Sequence, residues 1–368
     1  MLDRLGQLFF MGLEGKTLTP SEASFIAKNN IGGVILFARN IETPQQVHQL
    51  CSEVQALRNQ QKDKAPLFIG IDMEGGRVAR LKAPFTQWPP LAKLGALDST
   101  SVAFKFAFNM GSELRAVGIN LDFAPCVDVL TNPKNTVIGD RSISTDPEQV
   151  AKISSALVRG YIKSNVLPCA KHFPGHGNTL IDSHEDLPVE NATLEELEQA
   201  ALIPFKKAFR ARLDMVMTSH IKFSKIDPDF PVTLSKKFLQ DILRKEMRYK
   251  NIIITDDLGM KAIAKYHSVE DTAILALGAG CDILLYCNEM AHPPIALEAV
   301  KKAVTDKKLS AAQLEESLKR VLTLKKEKLT NPEPPSFQEA SKIIGHPDHL
   351  KLSKAIADGH IPDELLNT

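Results

Sequence analysis

The sequence predicts an α/β fold: a single (β/α)8 barrel with a short C-terminal extension. Three observations carry that expectation. Short β-branched or apolar runs alternate with helical patterns along most of the chain. Eight such runs can be counted, the first of them weak. Several end, on their C-terminal side, in a residue able to do chemistry. Parallel strands need a crossover between them, and a helix supplies it, so this alternation favours a parallel sheet. A barrel gathers its strand ends at one mouth, whereas the runner-up, a doubly wound open sheet, spreads them along a crevice.

The weak first strand is Gln7–Gly12. The others are Gly32–Arg39, Pro66–Asp72, Ile119–Ala124, Val166–His172, Asp214–His220, Asn251–Asp257 and Cys281–Cys287. Helical patterns between them include Val102–Val117, Pro147–Ser164, Leu194–Arg212, Lys236–Met247 and Glu270–Leu277. Three helix starts read as capping boxes: Thr19-Pro20-Ser21-Glu22, Thr43-Pro44-Gln45-Gln46 and Ser310-Ala311-Ala312-Gln313. In such a box the hydroxyl bonds the N3 amide while Glu or Gln reaches back; proline at N1 suits the first two. The basic stretch Lys319–Lys328 alternates with Val321, Leu322 and Leu324, which predicts a solvated helix face. Asn331-Pro332-Glu333-Pro334-Pro335 then ends the last long helix. The expected division is a catalytic barrel over 1–329 and a polar tail over 330–368, with short helices at Phe337–Ile344 and Leu350–Ala357.

Composition narrows the function. With 368 residues, 43% apolar and 24% charged, the chain is globular and long enough to bury a large core. Its 45 Lys+Arg against 44 Asp+Glu give +1, which argues against nucleic acid as a partner. Five cysteines, an odd count without CxxC, fit reduced thiols packed in a cytosolic protein. The N-terminus, MLDRLGQLFFMGLEG, lacks a long apolar region and a small-residue cleavage site, and no apolar run approaches the ~18 residues of a spanning helix. A soluble, cytoplasmic protein is expected, with no membrane partner.

Four stretches carry chemistry. Lys171-His172-Phe173-Pro174-Gly175-His176-Gly177 continues to Asp182-Ser183-His184. Three histidines and an aspartate invite a zinc reading, but Pro174 and Gly175 keep His172 and His176 from sharing a helix face. The alternative is a loop with an Asp-x-His pair, whose carboxylate orients an imidazole for acid–base work near neutral pH. Thr255-Asp256-Asp257-Leu258-Gly259 closes an apolar strand with two carboxylates. Strand alternation sends them to opposite sides, so only one faces the mouth; the bland reading makes both helix caps. Phe68–Arg80 places Asp72 at a strand end near Arg77 and Arg80, and lacks the GxGxxG of a dinucleotide loop. Gly139-Asp140-Arg141-Ser142 reads equally well as a turn with a surface ion pair.

Together these stretches, with Gly32–Phe37, resemble the glycoside hydrolase family 3 β-N-acetylglucosaminidases of bacterial cell-wall recycling, from about Gln7 to Leu324. The resemblance implies a short, single-barrel member without a cofactor or metal. It implies Asp256 as nucleophile, His184 held by Asp182 as acid/base, and Asp72, Arg80, Arg141, Lys171 and His172 as the grip on N-acetylglucosamine. It assigns His176 no direct role. Asn178-Thr179-Leu180-Ile181 stands where relatives carry smaller residues, so Leu180 and Ile181 are expected to pin the loop or alter its closed pose. Gly259 stands where relatives commonly have Ser, which loosens the surroundings of the nucleophile.

The implied reaction is double displacement on a small carbohydrate or muropeptide, releasing N-acetylglucosamine from 1,6-anhydro-N-acetylmuramic acid in peptidoglycan recycling. A metal-dependent barrel hydrolase and a non-catalytic sugar-binding barrel are the competing readings.

Overall fold

The computed structural model describes residues 1–365 apart from Ile181 and His184. Eight strands close a barrel: β1 Phe9–Gly12, β2 Gly33–Leu36, β3 Phe68–Ile71, β4 Leu121–Asp122, β5 Leu167–Phe173, β6 Met215–Thr218, β7 Ile252–Asp257 and β8 Ile283–Tyr286. Each pairs in parallel with the next, and β8 closes on β1. The open-sheet alternative is thereby excluded. Most strands are shorter than the apolar runs that announced them, because the ends of those runs leave the sheet to build loops.

The barrel is packed, not hollow. Phe10 on β1 stacks on Phe68 of β3 with ring centroids 5.5 Å apart and meets Phe123 edge-on at 6.4 Å. Side chains from such separated strands meet only where they converge, which is inside. Glycines on the neighbouring strands make the room. A Cβ at Gly33 would lie 2.6 Å from the Phe10 ring, and one at Gly70 2.8 Å from the Phe123 ring.

The helices carry three corrections. Leu194–Arg212 is two helices, Leu194–Gln199 and Leu202–Arg210. Pro204 explains the break, since its ring would strike the carbonyl of Ala200 in a continuous helix but is tolerated in a first turn. Only the first of the three expected capping boxes is reciprocal. Thr43 and Ser310 do cap, but the Gln46 amide turns to the Asn40 carbonyl at 3.0 Å and Gln313 to the Leu277 carbonyl at 2.6 Å. Lys325 leaves the solvated face expected of it. It is wholly buried, donates to Gln7 Oε1 and to the Gly32 carbonyl at 2.7 Å each, and lies 4.7 Å from the Phe68 ring centre.

After the helix Ala311–Lys328 the chain folds back over the barrel's outer layer. Helices Phe337–Ile343 and Pro347–Asp358 pack there, burying Leu352 and Ile356. His349 Nδ1 reaches Glu113 Oε1 at 2.7 Å. All five cysteines are buried and free. Among the described residues no helix is long and apolar enough to cross a membrane.

Candidate active site

The C-terminal ends of the strands surround a cavity of about 230 Å³. That is smaller than the roughly 300–1,000 Å³ of drug-sized pockets, so it suits one small ligand. Asp72, just past β3, Lys171 and His172 on β5, and Asp256 on β7 line it, joined by Arg80 from a loop and Arg141 from the 3-10 turn Gly139–Arg141. Every expected sugar-gripping residue therefore reaches one place, together with the expected nucleophile. A larger cavity, about 550 Å³, lies between the helix Thr100–Ala116 and the C-terminal extension, away from these strand ends.

An ion network forms the floor and one wall. Lys171 Nζ lies 2.7 Å from Asp72 Oδ1 and 2.7 Å from Glu74 Oε1. Arg141 grips Glu74 with two parallel bonds, Nε to Oε2 at 2.9 Å and Nη2 to Oε1 at 2.8 Å. Burial would raise the Glu74 carboxyl, but Arg141 and Lys171 outweigh it and hold the group well below the usual carboxylate range. Burial likewise opposes the charge on Lys171, and Asp72 and Glu74 more than restore it. Arg80 Nη2 stands 3.5 Å from Asp72 Oδ2, with its guanidinium 5.6 Å from the Phe37 ring centre. Asp72 thus stands between two cations, with its carboxylate oxygens placed to accept from sugar hydroxyls.

The two adjacent carboxylates of β7 have different lives. Asp256 is half-buried on the cavity wall, where its Oδ1 accepts the Asp257 amide at 2.8 Å. Asp257 is buried, and its Oδ1 accepts the amides of Gly259 at 3.0 Å and Cys287 at 3.1 Å. Burial raises its carboxyl above the usual range against the pull of those amides. Asp257 therefore ties the end of β7 to the end of β8. Neither residue caps a helix: the next one, Lys261–Ala264, has Met260 at its cap position. Gly259 faces Asp257, since a Cβ there would lie 3.3 Å from Asp257 Oδ1. His220, expected among the converging groups, lies behind the site with Nε2 3.0 Å from the Asp257 carbonyl.

Asp128 organises the histidine-rich stretch. Its carboxylate pairs with His172 Nδ1 at 2.8 Å and accepts the backbone amides of His172 at 3.2 Å and His176 at 2.7 Å. Burial opposes its charge, but His172 and these donors win and bring it to about 2. Among the described residues the one metal-like grouping is Cys126, Asp128 and His172; of the three histidines and aspartate that the sequence offered, His184 lies outside the described residues. Its contacts are those of a hydrogen-bonded carboxylate, with Cys126 Sγ 3.2 Å from Asp128 Oδ2.

The loop after β5 runs close to the rest of the mouth. A Cβ at Gly177 would sit 1.7 Å from the Val129 carbonyl oxygen, so glycine is required there. Asp182 is partly buried and its carbonyl accepts the amides of Glu185 at 2.8 Å and Asp186 at 3.1 Å. His184, the expected acid/base, and Ile181 lie outside the described residues. Leu180 is 68% exposed and so does not pin the loop by burial.

Sequence reasoning gave no role in the site to Glu74, Asp122 or Asp128. Glu74 stands in the sequence as a second carboxylate two residues after Asp72, with nothing local to mark it as buried. Asp122 is buried with its carboxyl raised well above normal, and its Oδ1 fixes the Met73 amide at 2.9 Å, between Asp72 and Glu74.

Residues 2–324 match the glycosyl hydrolase family 3 N-terminal domain. A β-hexosaminidase of Thiobacillus denitrificans is 37% identical over 308 residues, covering 82% of this chain and 83% of the relative. A solved fungal multi-domain family 3 β-N-acetylglucosaminidase superposes with a TM-score of 0.93 at 38% identity, across 97% of this chain; the chain spans 43% of the fungal protein's length. NagZ from Neisseria gonorrhoeae, solved with N-trifluoroacetyl-D-glucosamine, gives a TM-score of 0.78 at 29% identity and covers 96% of this chain and 98% of its own. This chain belongs to glycosyl hydrolase family 3 and is a glycoside hydrolase.

Proposed function

We propose that this chain is a retaining β-N-acetylglucosaminidase that removes terminal N-acetylglucosamine from the 1,6-anhydro-N-acetylmuramic acid disaccharide, with or without its peptide, in the cytoplasm during peptidoglycan recycling. The observation that carries the reading is Asp256 in the same small cavity as Asp72, whose carboxylate Lys171 and Arg80 flank as an acceptor for sugar hydroxyls. The gonococcal relative was solved with an N-acylated glucosamine, which supports the sugar class.

In the first step an Asp256 oxygen attacks the anomeric carbon as the bond to the leaving oxygen breaks. Imidazolium His184, oriented by Asp182, gives that oxygen a proton. In the second, neutral His184 takes a proton from water, whose oxygen attacks the same carbon and frees Asp256. A histidine acid starts as a cation and ends neutral, so it adds no negative charge beside Asp256. A substrate-assisted route would need Asp257 to polarise the acetamide group. Asp257 spends its Oδ1 on the Gly259 and Cys287 amides, which disfavours that route.

The test follows the product anomer by NMR on an aryl β-N-acetylglucosaminide, with the matching aryl glucoside as control. A β-anomer released first, with the glucoside cleaved far more slowly, is the expected result. An α-anomer removes covalent catalysis. Fast cleavage of chitobiose with the anhydro-disaccharide left intact removes the recycling assignment.

A further inference from the structure

His176 belongs to the same motif as His172 yet does not line the cavity. It is buried, and its backbone is held at both ends: its amide donates to Asp128 Oδ1 at 2.7 Å, and its carbonyl accepts from Asn135 Nδ2 at 2.7 Å. Its ring reaches forward along the chain. Nδ1 lies 2.7 Å from Thr179 Oγ1 and Nε2 3.3 Å from Ser183 Oγ. Burial, with the neighbouring His172, pulls the imidazole down to about 4, so at neutral pH it has one donor and one acceptor. One ring nitrogen donates and the other accepts, across the Thr179 and Ser183 hydroxyls.

One ring thus holds residues on both sides of Asp182. The other side of this segment meets the stretch that follows β7. Ala262 donates its amide to the Ser183 carbonyl at 3.2 Å, Lys265 Nζ reaches the Glu185 carbonyl at 2.8 Å, and Tyr266 Oη reaches Asp186 Oδ1 at 2.8 Å. The side-chain contacts on that outer face are exposed, and exposed pairs hold weakly. The buried ring is the firm support.

We infer that His176 is a positioning residue, whose ring holds Thr179 and Ser183 on either side of Asp182 and so sets this part of the loop for the proton transfer proposed for Asp182 and His184. The inference rests on the proposed role of that pair in moving the proton.

The experiment compares His176→Ala, Thr179→Val, His184→Ala and the His176→Ala/His184→Ala double variant on two substrates. One is the natural disaccharide, whose leaving group needs a proton; the other is a dinitrophenyl β-N-acetylglucosaminide, whose leaving group does not. General acid help is worth roughly 10²–10⁴-fold, and a displaced acid keeps part of it. His176→Ala and Thr179→Val should therefore lower kcat/KM for the disaccharide by about 10-fold or more, and for the dinitrophenyl glycoside by less than about 3-fold. In the His184→Ala background, His176→Ala should add almost nothing. Equal losses on both substrates, or losses that multiply in the double variant, overturn the inference. A leaving-group response from His184→Ala but none from His176→Ala or Thr179→Val defeats the inference alone. No leaving-group response from His184→Ala defeats the proposed function, and the inference with it. Thr179→Val removes one hydroxyl and keeps the side-chain shape, so it decides the matter should His176→Ala fail to fold.

Discussion

Lys171 Nζ stands 2.7 Å from both Asp72 Oδ1 and Glu74 Oε1, so one buried ammonium links the carboxylate that faces the cavity to the one beneath it. Arg141 completes the set on the Glu74 side. Two cations and two anions out of water are costly separately and tolerable together. The site's grip on sugar is therefore continuous with the stability of the fold.

Glu74→Gln should expose that link. Removing one partner of a buried pair typically costs about 3–5 kcal/mol, because the remaining charges stay buried. The pH dependence has a definite sign. Glu74 has a folded pKa below its ordinary 4.5, so its contribution is fully present above that value and drains away as pH falls. Denaturant unfolding at pH 6 and pH 3 should show the gap between wild type and variant narrowing by about 1–2 kcal/mol at the lower pH. A constant gap would mean that the Glu74 charge does not stabilise the fold.

Asp256 and Asp257 should separate chemistry from architecture. Asp256→Asn should lose turnover by orders of magnitude and melt near the wild type. Asp257→Ala leaves the Gly259 and Cys287 amides without their acceptor, at about 1–3 kcal/mol, while Asp257→Asn keeps an oxygen in place and should cost less. Melting temperature and kcat, measured together on the three variants, check this. Turnover abolished by Asp257→Asn but kept by Asp256→Asn would reverse the assignment.

Asp72 and Lys171 should behave as one unit. Asp72→Asn and Lys171→Met each disrupt the same 2.7 Å contact, so the second change has less left to break. In a double-mutant cycle on kcat/KM the combined loss should fall short of the product of the single losses by about 1–3 kcal/mol. Strictly multiplicative losses would mean that the two residues meet substrate independently.

The barrel was readable because its strands are buried on both faces, so each stands out as a continuous apolar run. Of Gln7–Gly12 only Phe9–Gly12 is strand, because Gln7 and Leu8 close a 3-10 helix. Periodicity identified the Leu194–Arg212 helix but overlooked Pro204, which divides it. In the site, residue types and spacing brought out Asp72, Lys171, His172 and Asp256. What they left undecided was which of Asp256 and Asp257 faces the cavity, since Ile252, Ile253 and Ile254 are equally apolar. Both aspartates line the cavity, and they differ in that Asp257 Oδ1 is engaged by the Gly259 and Cys287 amides. Glu74 escaped because a buried carboxylate announces itself only through the cations around it, and Lys171 and Arg141 come from distant segments.

Lys325 gives the last prediction, away from the site. A lysine in the basic stretch Lys319–Lys328 reads as solvated, yet this one is wholly buried against Gln7, Gly32 and Phe68. Burial lowers its pKa from 10.5 to about 7, against the weak pull of Asp63. Between those two values the unfolded chain holds a proton that the folded chain has shed. Stability from this residue therefore rises with pH across that window, and is lost as the folded lysine protonates below about 7. Lys325→Met removes the titration, though it also strips the Gln7 oxygen and the Gly32 carbonyl of a donor. The absolute change mixes these effects, but the pH dependence isolates the charge. From pH 7.5 to 9.5 the wild type should gain on Lys325→Met by up to about 1.4 kcal/mol per pH unit. Urea unfolding of both proteins at those two pH values measures it. Parallel stability curves would mean that Lys325 stays protonated in the fold, held by its two carbonyl acceptors and the face of Phe68.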